Sequence, residues 1–401
     1  MMNIKNFISL YFVKAVRKLQ RLFGFSTQYN YQPLYNYFHY VGRRPDKLAL
    51  LSYRVLQLRE MSRHTWSYGG DVNDIIHVLS QLGYKTDVVH PEDEVFKPDK
   101  SYDLVIAHPG KNIKKLFTSV SRDTIKILFL CGAYTKFQNS EEQKRIEELQ
   151  KKCGTLSLHA ERQISGDLQH EDFALRHADG VILLSNVRGA FTYPYPQQIF
   201  HLEGASFTDY RHILKLEKKD FIDGKDNFLF LSGSGNIHKG LGLLLESFRT
   251  MPDKTLYICT KLEDDFANVF EKELFHTSNI CYIGYIRLYS KKFYDLVMKC
   301  NYLIFPSVSE GSPGSVADCM VQGLIPLVSR AAHIDVDGLG YYIDPCTREE
   351  IQRLVREVSS HDGEWYKAKS EIIQKEANKR FSQELFRNTF KKYIQDIISN
   401  V

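Results

Sequence analysis

The chain has 401 residues, of which 43% are hydrophobic and 13% aromatic, so it can bury a large core and is longer than one core usually serves. The formal net charge of +5 is concentrated in residues 1–25, which carry five basic and no acidic side chains, while the rest balances at 48 basic against 48 acidic residues. This neutral body argues against a nucleic-acid partner, and seven scattered cysteines without a CxxC pair argue against zinc. We expect a cytoplasmic protein of two domains without a bound metal.

Residues 1–25 are the first predicted element, a basic amphipathic helix. Its apolar stretch breaks at Lys14, far short of the roughly 20 residues that a membrane-spanning helix needs. On a helical wheel, one face is apolar and the opposite face is basic. The apolar positions are Ile8, Phe12, Val16, Leu19, Leu22 and Phe23, and the basic ones are Lys14, Arg17, Lys18 and Arg21. The pattern predicts contact with an anionic membrane surface, and a helix docked on the body is the alternative.

Short apolar strands alternate with helical patterns through the first half of the body. Residues 48–57 are typical of a strand, and residues 67–90 of a loop, a helix, a glycine stop and a strand. Further strands are predicted at 101–109, 124–132 and 178–186, with a helix at 140–154 that starts at a serine cap and ends at a glycine. Such alternation predicts a parallel sheet covered on both faces.

The alternation restarts after a charged stretch near 209–226 that lacks a strand pattern. Strands are predicted at 227–233, 254–260, 279–284, 301–307 and 324–329, and a final amphipathic helix at 382–399. The predicted fold is therefore α/β with two doubly wound sheets. The predicted divisions are the leader 1–25, an N-terminal acceptor domain at 47–210, a C-terminal donor domain at 226–380 and a terminal helix at 381–401.

The stretch FLFLSGSGNIHKGLGLLLESF (228–248) runs from a strand through a glycine-rich turn and Lys239 into a helix. His238 replaces the third glycine of a dinucleotide fingerprint, and Gly240 replaces the Ser or Thr of a Walker P-loop. NAD binding and ATP hydrolysis are therefore disfavoured. Bare backbone amides, a helix N-terminus and one ammonium still predict a diphosphate site, the alternative being a turn that only connects strand and helix.

A second stretch, PSVSEGSPGSVADCMVQGLIPLVS (306–329), places Glu310 in a loop and Asp318 eight positions later on a helix. We expect both carboxylates at the carboxyl ends of the strands, where open α/β sheets bind ligands. Carboxylates accept hydrogen bonds from hydroxyl groups, so Glu310 suits a sugar and Asp318 suits a ribose. Taken alone, Asp318 would equally fit a solvated helix face.

These segments resemble a known family of enzymes. Residues 306–329 resemble the E-x7-E region of retaining glycosyltransferases with the GT-B fold, in the group called glycosyltransferase family 4 or group 1. Residues 228–248 resemble that group's glycine turn and Lys-Gly segment, and residues 67–89 its N-terminal Gly-Gly loop and following helix. The resemblance covers most of 48–400 and implies two Rossmann-like domains facing a cleft, with the terminal helix crossing back to the first domain.

The resemblance also implies a role for each matching residue. Lys239 would bind the donor diphosphate and Glu310 the donor sugar, both as catalytic residues, and Asp318 would bind the ribose. The other implied positions are Gly233, Ser234, Gly235, Gly311 and Ser312 around the donor, and Gly69, Gly70 and Asp71 on the acceptor side or near the phosphates. The implied donor is a UDP- or GDP-sugar, and no further cofactor is required.

Two positions depart from the group's pattern. Ser234 stands where many members have arginine, which removes one of two expected phosphate cations, and the second glutamate is shortened to Asp318. The group transfers sugars with retention, in which the leaving phosphate can accept the acceptor's proton. An inverting reaction would need a base, for which Asp71, His64 and Glu161 are equal candidates.

Other functions stay open at the sequence level. A non-catalytic binding or scaffold protein could have kept the fold and lost the donor site. A metal-dependent transferase could use Asp335 and Asp337, although Gly338 follows at once and DVDG is typical of a turn. The segment HAER (159–162) fits either an acceptor-side cluster or an exposed helix face.

The sequence therefore predicts a hexosyltransferase-type enzyme that acts on a glycan or lipid-linked acceptor. Its basic leader indicates a peripheral position on the inner face of the cell membrane. A lipid-linked acceptor at that surface indicates a role in surface polysaccharide biosynthesis.

Overall fold

The computed structural model describes residues 32–42, 44–55, 58, 70–154, 158–164, 168–194, 199–206 and 213–401. The predicted leader helix, residues 1–25, lies outside this described part. Residues Pro33–Val401 form one compact unit. Among the described helices, none combines the length and the apolar character that crossing a bilayer requires.

The first sheet is formed by β1 (Leu34–Tyr37), β2 (Lys47–Ser52), β3 (Tyr84–Val89), β4 (Leu104–Ala107), β5 (Ile125–Leu130), β6 (Gly180–Leu184) and β7 (Ile199–Leu202). Their order is β1-β3-β2-β4-β5-β6-β7, with β1 antiparallel to β3 and the other neighbours parallel. The strands predicted in this half are confirmed, except that the first ends at Ser52 and does not continue through residues 53–55, and β1 and β7 are additional.

The second sheet is formed by β8 (Asn227–Leu231), β9 (Thr255–Cys259), β10 (Ile280–Tyr282), β11 (Tyr302–Phe305), β12 (Ile325–Ser329) and β13 (Tyr341–Ile343). Their order is β10-β9-β8-β11-β12-β13, and all neighbours are parallel. The predicted strands of this half are confirmed, and β13 is additional. Buried, nearly continuous apolar strands such as Asn227–Leu231 are typical of parallel sheets covered on both faces.

Helices cover both sheets. In the first half they are α1 (Gly70–Gln81), α2 (Ile113–Ser119), α3 (Thr135–Cys153), α4 (Leu168–His177) and α5 (Val187–Ala190). In the second half they are α6 (Leu241–Phe248), α7 (Asp264–Val269), α8 (Glu271–His276), α9 (Lys291–Lys299), α10 (Gly314–Val321), α11 (Arg348–Val358), α12 (Gly363–Arg380) and α13 (Gln383–Ser399). One face of the first sheet packs against α1 and α13, and the other against α2 and α4.

The terminal helix α13 completes the core of the first sheet, as predicted. Its buried side chains Phe386, Phe390, Ile394 and Ile397 belong to the same apolar cluster as strands β2 to β6. Phe390 packs edge-on against Phe129 of β5, with ring centroids 5.9 Å apart. The chain therefore returns to its first half after building the second sheet.

Helix α3 belongs to the first half but packs on the second core. Ile146 and Leu149 on α3, and Leu158 after it, lie in the apolar cluster of the second sheet. The predicted start of this helix at Ser140 is wrong, because the helix begins at Thr135, whose amide donates to Glu171 of α4 at 3.0 Å. The predicted glycine end is confirmed, since Gly154 has a φ of +68°.

Candidate active site

The strand order locates the crevice of each sheet. In the second sheet the order reverses direction between β8 and β11, and in the first sheet between β2 and β4. Ligands of open α/β sheets bind outside the carboxyl ends of the strands at such switch points. The loops that follow β8 and β11 carry Lys239 and Glu310. The structure thus brings these two predicted residues to one switch point.

Lys239 and Glu310 form a buried ion pair. The Nζ atom of Lys239 contacts Oε1 of Glu310, and each residue is only 8% exposed. Burial alone would raise the pKa of Glu310, but the adjacent Lys239 outweighs it and the pKa is lowered to about 2. Ser307 donates a further hydrogen bond to the same oxygen at 2.8 Å. Glu310 is therefore a fixed carboxylate beside a fixed ammonium.

The glycine turn holds a carboxylate of the protein itself. The amides of Gly235 and Asn236 each donate to Oε1 of Glu263 at 2.8 Å, and the Asn236 side chain accepts from the Glu263 amide at 2.9 Å. The expectation of bare amides at this turn is wrong for these two groups. Ser234 is half-buried, and a Cβ at Gly233 would meet open space.

An open helix end lies at the other side of the crevice. Helix α10 begins at Gly314, and its preceding residue Pro313 gives it no side-chain cap. A Cβ at Gly314 would have no atom within 4 Å. The amides at the start of a helix are positively polarised and bind anions. Of the first amides of this helix, those of Val316 and Ala317 donate to the carbonyl oxygen of Pro313, and those of Gly314 and Ser315 precede them.

Asp318 is buried and receives two hydrogen bonds at Oδ1. Ser206 donates to this atom at 2.6 Å, and the hydroxyl of Tyr289 also donates to it. Burial raises the pKa of Asp318 to about 6, against the opposing effect of the two hydroxyl groups. The alternative of a solvated helix face is wrong for this residue, which is 5% exposed.

Gly311 and Ser312 join the two halves of the molecule. A Cβ on Gly311 would collide with the carbonyl oxygen of Leu184 and lie 2.8 Å from that of Cys131. The Oγ atom of Ser312 accepts a hydrogen bond from the Gly204 amide at 3.0 Å. Leu184 is the last residue of β6, and Cys131 directly follows β5. The carboxyl ends of the strands in the two sheets therefore face each other across this loop.

Asp71 sits at the switch point of the first sheet. Tyr53, directly after β2, donates to Oδ2 of Asp71 at 2.6 Å, and Arg54 forms an ion pair with the same atom at 3.1 Å. Gly70 is the first residue of α1, whereas Gly69 lies outside the described residues, as does His64. The carboxylate of Asp71 is thus already neutralised by a neighbour.

A cavity of about 540 Å³ opens beside the loop that carries Glu310, between the two halves. It is lined by Val187, Arg188, Phe191, Arg330, Ala331 and His333. His333 connects it to the site, because its Nδ1 atom lies 2.6 Å from the carbonyl oxygen of Glu310. No sequence motif marks these residues, since they meet only when the loops after β6 and β12 come together.

Of the two aspartates in the metal-dependent alternative, Asp335 is engaged by another side chain. Asp335 accepts a hydrogen bond from Asn186 at 2.6 Å, and Gly338 has a φ of +72°, as expected for a turn. Within the described ranges, no three His, Cys, Asp or Glu side chains are grouped to hold a metal ion. Residues 159–162 are not helical, and His159 donates its amide to Asp265 of the second half at 2.8 Å.

No protein-family profile and no curated protein sequence matches the chain. Among solved structures, sucrose-phosphate synthase from Thermosynechococcus elongatus aligns over 90% of this chain and 100% of its own, with 10% identity and a TM-score of 0.58. Anabaena HepE in complex with UDP aligns over 88% and 100%, with 13% identity and a TM-score of 0.54. WaaG, a glycosyltransferase involved in lipopolysaccharide biosynthesis, aligns over 86% and 99%, with 12% identity and a TM-score of 0.51.

A match to TarM covers 72% of this chain and 54% of that one, at a TM-score of 0.49, so the chain spans about half of that protein. The matches above 0.5 each cover at least 86% of this chain and at least 99% of the other protein. The chain therefore has the GT-B fold that the sequence resemblance implies.

Proposed function

We propose that the chain is a glycosyltransferase that transfers a sugar from a nucleoside diphosphate sugar to a glycan or lipid-linked acceptor. The observation that carries this proposal is the buried contact between Lys239 and Glu310 at the switch point of the second sheet. A lysine ammonium has three donors, so Lys239 can bind a phosphate oxygen while it keeps Glu310. The carboxylate of Glu310 can accept hydrogen bonds from sugar hydroxyls.

The chemistry follows from where charge develops. The bond between the anomeric carbon and the diphosphate oxygen breaks, and that oxygen gains negative charge. A fixed ammonium at Lys239 and the open amides at the start of α10 stabilise this charge more in the transition state than in the bound donor. For the proposed retaining reaction, the acceptor oxygen bonds to the same face of the sugar and its proton passes to the departing phosphate oxygen.

The fold comparisons support a nucleotide-sugar donor without identifying it. HepE has been crystallised with UDP and with UDP-glucose, and shares the fold with this chain. We therefore include UDP-sugars first among the donors to test, and GDP-sugars second. Specificity for base and sugar depends on a few pocket contacts, which differ between proteins of one fold.

A donor screen tests the proposal. Purified protein is heated with each UDP- and GDP-sugar, because a ligand that binds the native state raises the melting temperature in proportion to the logarithm of its concentration over its Kd. Release of nucleoside diphosphate in the presence of acceptor then reports transfer. If no nucleotide sugar binds at millimolar concentration, the scaffold alternative, favoured by Ser234 and Asp318, replaces the enzyme.

We also propose that residues 1–25 bring the enzyme to an anionic membrane and that the acceptor is carried on lipid there, as in surface polysaccharide synthesis. Support comes from the sequence of this segment, which has five basic residues, four of them predicted to lie opposite an apolar face. Co-sedimentation with anionic liposomes should be lost when residues 1–25 are deleted and kept by the full chain. Equal sedimentation of both proteins would refute membrane targeting while leaving the transferase proposal intact.

A further inference from the structure

The lysine at the candidate donor site is already paired. Lys239 contacts Glu310, and both residues are buried, so the pair offers a diphosphate no net positive charge. A terminal phosphate alone carries roughly 1.5 to 2 negative charges at neutral pH. The turn from Ser232 to His238 contains no lysine or arginine, and two of its amides bind Glu263. A second cation must come from elsewhere in the molecule.

Arg162 lies directly over this turn, although it belongs to the first half of the chain. A Cβ on Gly235 would come within 2.7 Å of Cγ and 3.1 Å of Cδ of Arg162. The aliphatic part of the arginine therefore crosses the turn where only glycine leaves space for it. Gly235 also has a φ of +86°, a conformation that favours glycine.

The main chain of Arg162 is anchored, while its side chain is exposed. The Arg162 carbonyl accepts from Gln138 Nε2 at 2.7 Å, and its amide donates to Glu142 of the same helix, α3, at 3.3 Å. The bonds of Arg162 among the described residues are these main-chain bonds. An exposed guanidinium on a fixed backbone can turn to a ligand, and only the side chain has then to become ordered.

The charge of Arg162 reaches the ion pair. Burial and the contact between Lys239 and Glu310 dominate the pKa values of these two residues, and the guanidinium of Arg162 contributes a further lowering to both. This electrostatic coupling agrees with the contact of Arg162 and Gly235. It also agrees with the position of His159, three residues earlier, whose amide donates to Asp265 of the second half.

We propose that Arg162 is a ligand of the donor's diphosphate, supplied by the first half of the chain in place of the cation that the donor turn lacks. The inference rests on the proposed function. Its guanidinium would bind phosphate oxygens in the bidentate geometry that suits arginine. The donor site is then complete only when both halves of the molecule are assembled.

Calorimetric titration of the full chain with UDP and with GDP tests this assignment. Arg162→Met keeps most of the aliphatic stem and removes the charge, and we expect it to weaken binding of the better nucleotide about tenfold to a hundredfold. Arg162→Lys should recover part of the loss. Adding Ser234→Arg to Arg162→Met should also recover part, because it returns a cation to the same turn. The matched control is Arg122→Ala, which replaces an exposed arginine in the turn before β5, at the amino ends of the strands of the first sheet.

The outcomes separate the two proposals. If the wild type binds UDP or GDP and Arg162→Met binds it equally well with unchanged melting temperature, Arg162 is not a phosphate ligand and the transferase proposal stands. If the wild type binds no nucleoside diphosphate, the proposed function fails and this assignment fails with it. Weakening that neither Arg162→Lys nor Ser234→Arg relieves would indicate packing rather than charge and would also overturn the assignment.

Discussion

The two crevices of this molecule face each other, and each holds an ion pair, which is buried in the second sheet and partly exposed in the first. In the second sheet, Lys239 and Glu310 are buried as an ion pair beside the ring of His238. In the first sheet, Arg54 neutralises Asp71, and burial lowers the pKa of His108 to about 4, which keeps its ring uncharged. Both crevices come from the same strand architecture.

The difference shows that the architecture positions a site without deciding its chemistry. Buried charges in the second crevice suit a charged donor, because their interactions are strong where water is excluded. The ion pair of the first crevice is more exposed and is accompanied by the uncharged ring of His108, which suits the neutral hydroxyl group of the proposed acceptor. Four substitutions test this division, beginning with the one of largest expected effect.

Replacing Lys239 with alanine should have the largest effect on the rate of sugar transfer. Loss of a preorganised donor to a developing oxyanion costs about 3 kcal/mol or more, and we expect sugar transfer to slow by about a hundredfold or more. The exposed lysine at position 272 provides the control Lys272→Ala. Turnover measured with saturating donor distinguishes the two variants, and a Lys239→Ala enzyme within a few fold of the wild type would remove the ammonium from the mechanism.

Gly311→Ala should disturb the meeting of the two halves. Its new Cβ would press on the backbone carbonyls of Leu184 and Cys131, which cannot move as a flexible side chain would. Overpacking of this kind costs about 1–3 kcal/mol, seen in the free energy of unfolding and as a loss of transfer. Gly314→Ala, three residues later, meets no atom within 4 Å and is the matched control. Equal stability of the two variants would contradict the close approach at Gly311.

Asp318 should make nucleotide binding depend on pH. The raised pKa of about 6 means that the carboxylate becomes protonated as the pH falls through that value, and a protonated carboxyl group accepts hydrogen bonds from a ribose less well. We expect the affinity for the nucleotide to fall up to about tenfold between pH 7 and pH 5. Asp318→Asn should bind more weakly at pH 7 and lose this dependence. A wild-type affinity that stays constant over this range would speak against contact with the ribose.

Asp335→Asn should have the smallest effect. An asparagine at this position can still accept the hydrogen bond from Asn186 through its amide oxygen, and we expect transfer rates within about twofold of the wild type. Rates with added manganese and with chelator should agree. Strong dependence on manganese that disappears in Asp335→Asn would favour the metal-dependent transferase instead.

Local patterns predicted most strands and the position of Lys239 and Glu310 in loops at the carboxyl ends of strands. The strands are short, buried and flanked by turn residues, and the carboxyl ends of parallel strands share one edge. Edge strand β1, residues Leu34–Tyr37, escaped prediction because its side chains are mostly exposed and give no apolar run. Features that depend on residues nearby in the sequence could therefore be predicted.

Features that depend on distant partners could not be predicted. Nothing near Gly235 reveals that Glu263 occupies its amide, and nothing near Thr135 reveals that Glu171 supports the start of α3. The contact of Arg162 with Gly235 likewise joins residues from different sheets. In each case the contact comes from a charged side chain that is distant in the sequence. Nearby sequence alone would predict that water, a ligand or a capping residue occupies that place.

The position of α13 has a consequence for synthesis on the ribosome. The core of the first sheet includes Phe386, Phe390, Ile394 and Ile397, which are translated after the whole second sheet. Part of the apolar surface of the first half therefore stays exposed until α13 has been translated, whereas the second half has its own core before that point. When stalled nascent chains of increasing length are digested with protease, the second half should become resistant before the first half, although the first half is translated earlier.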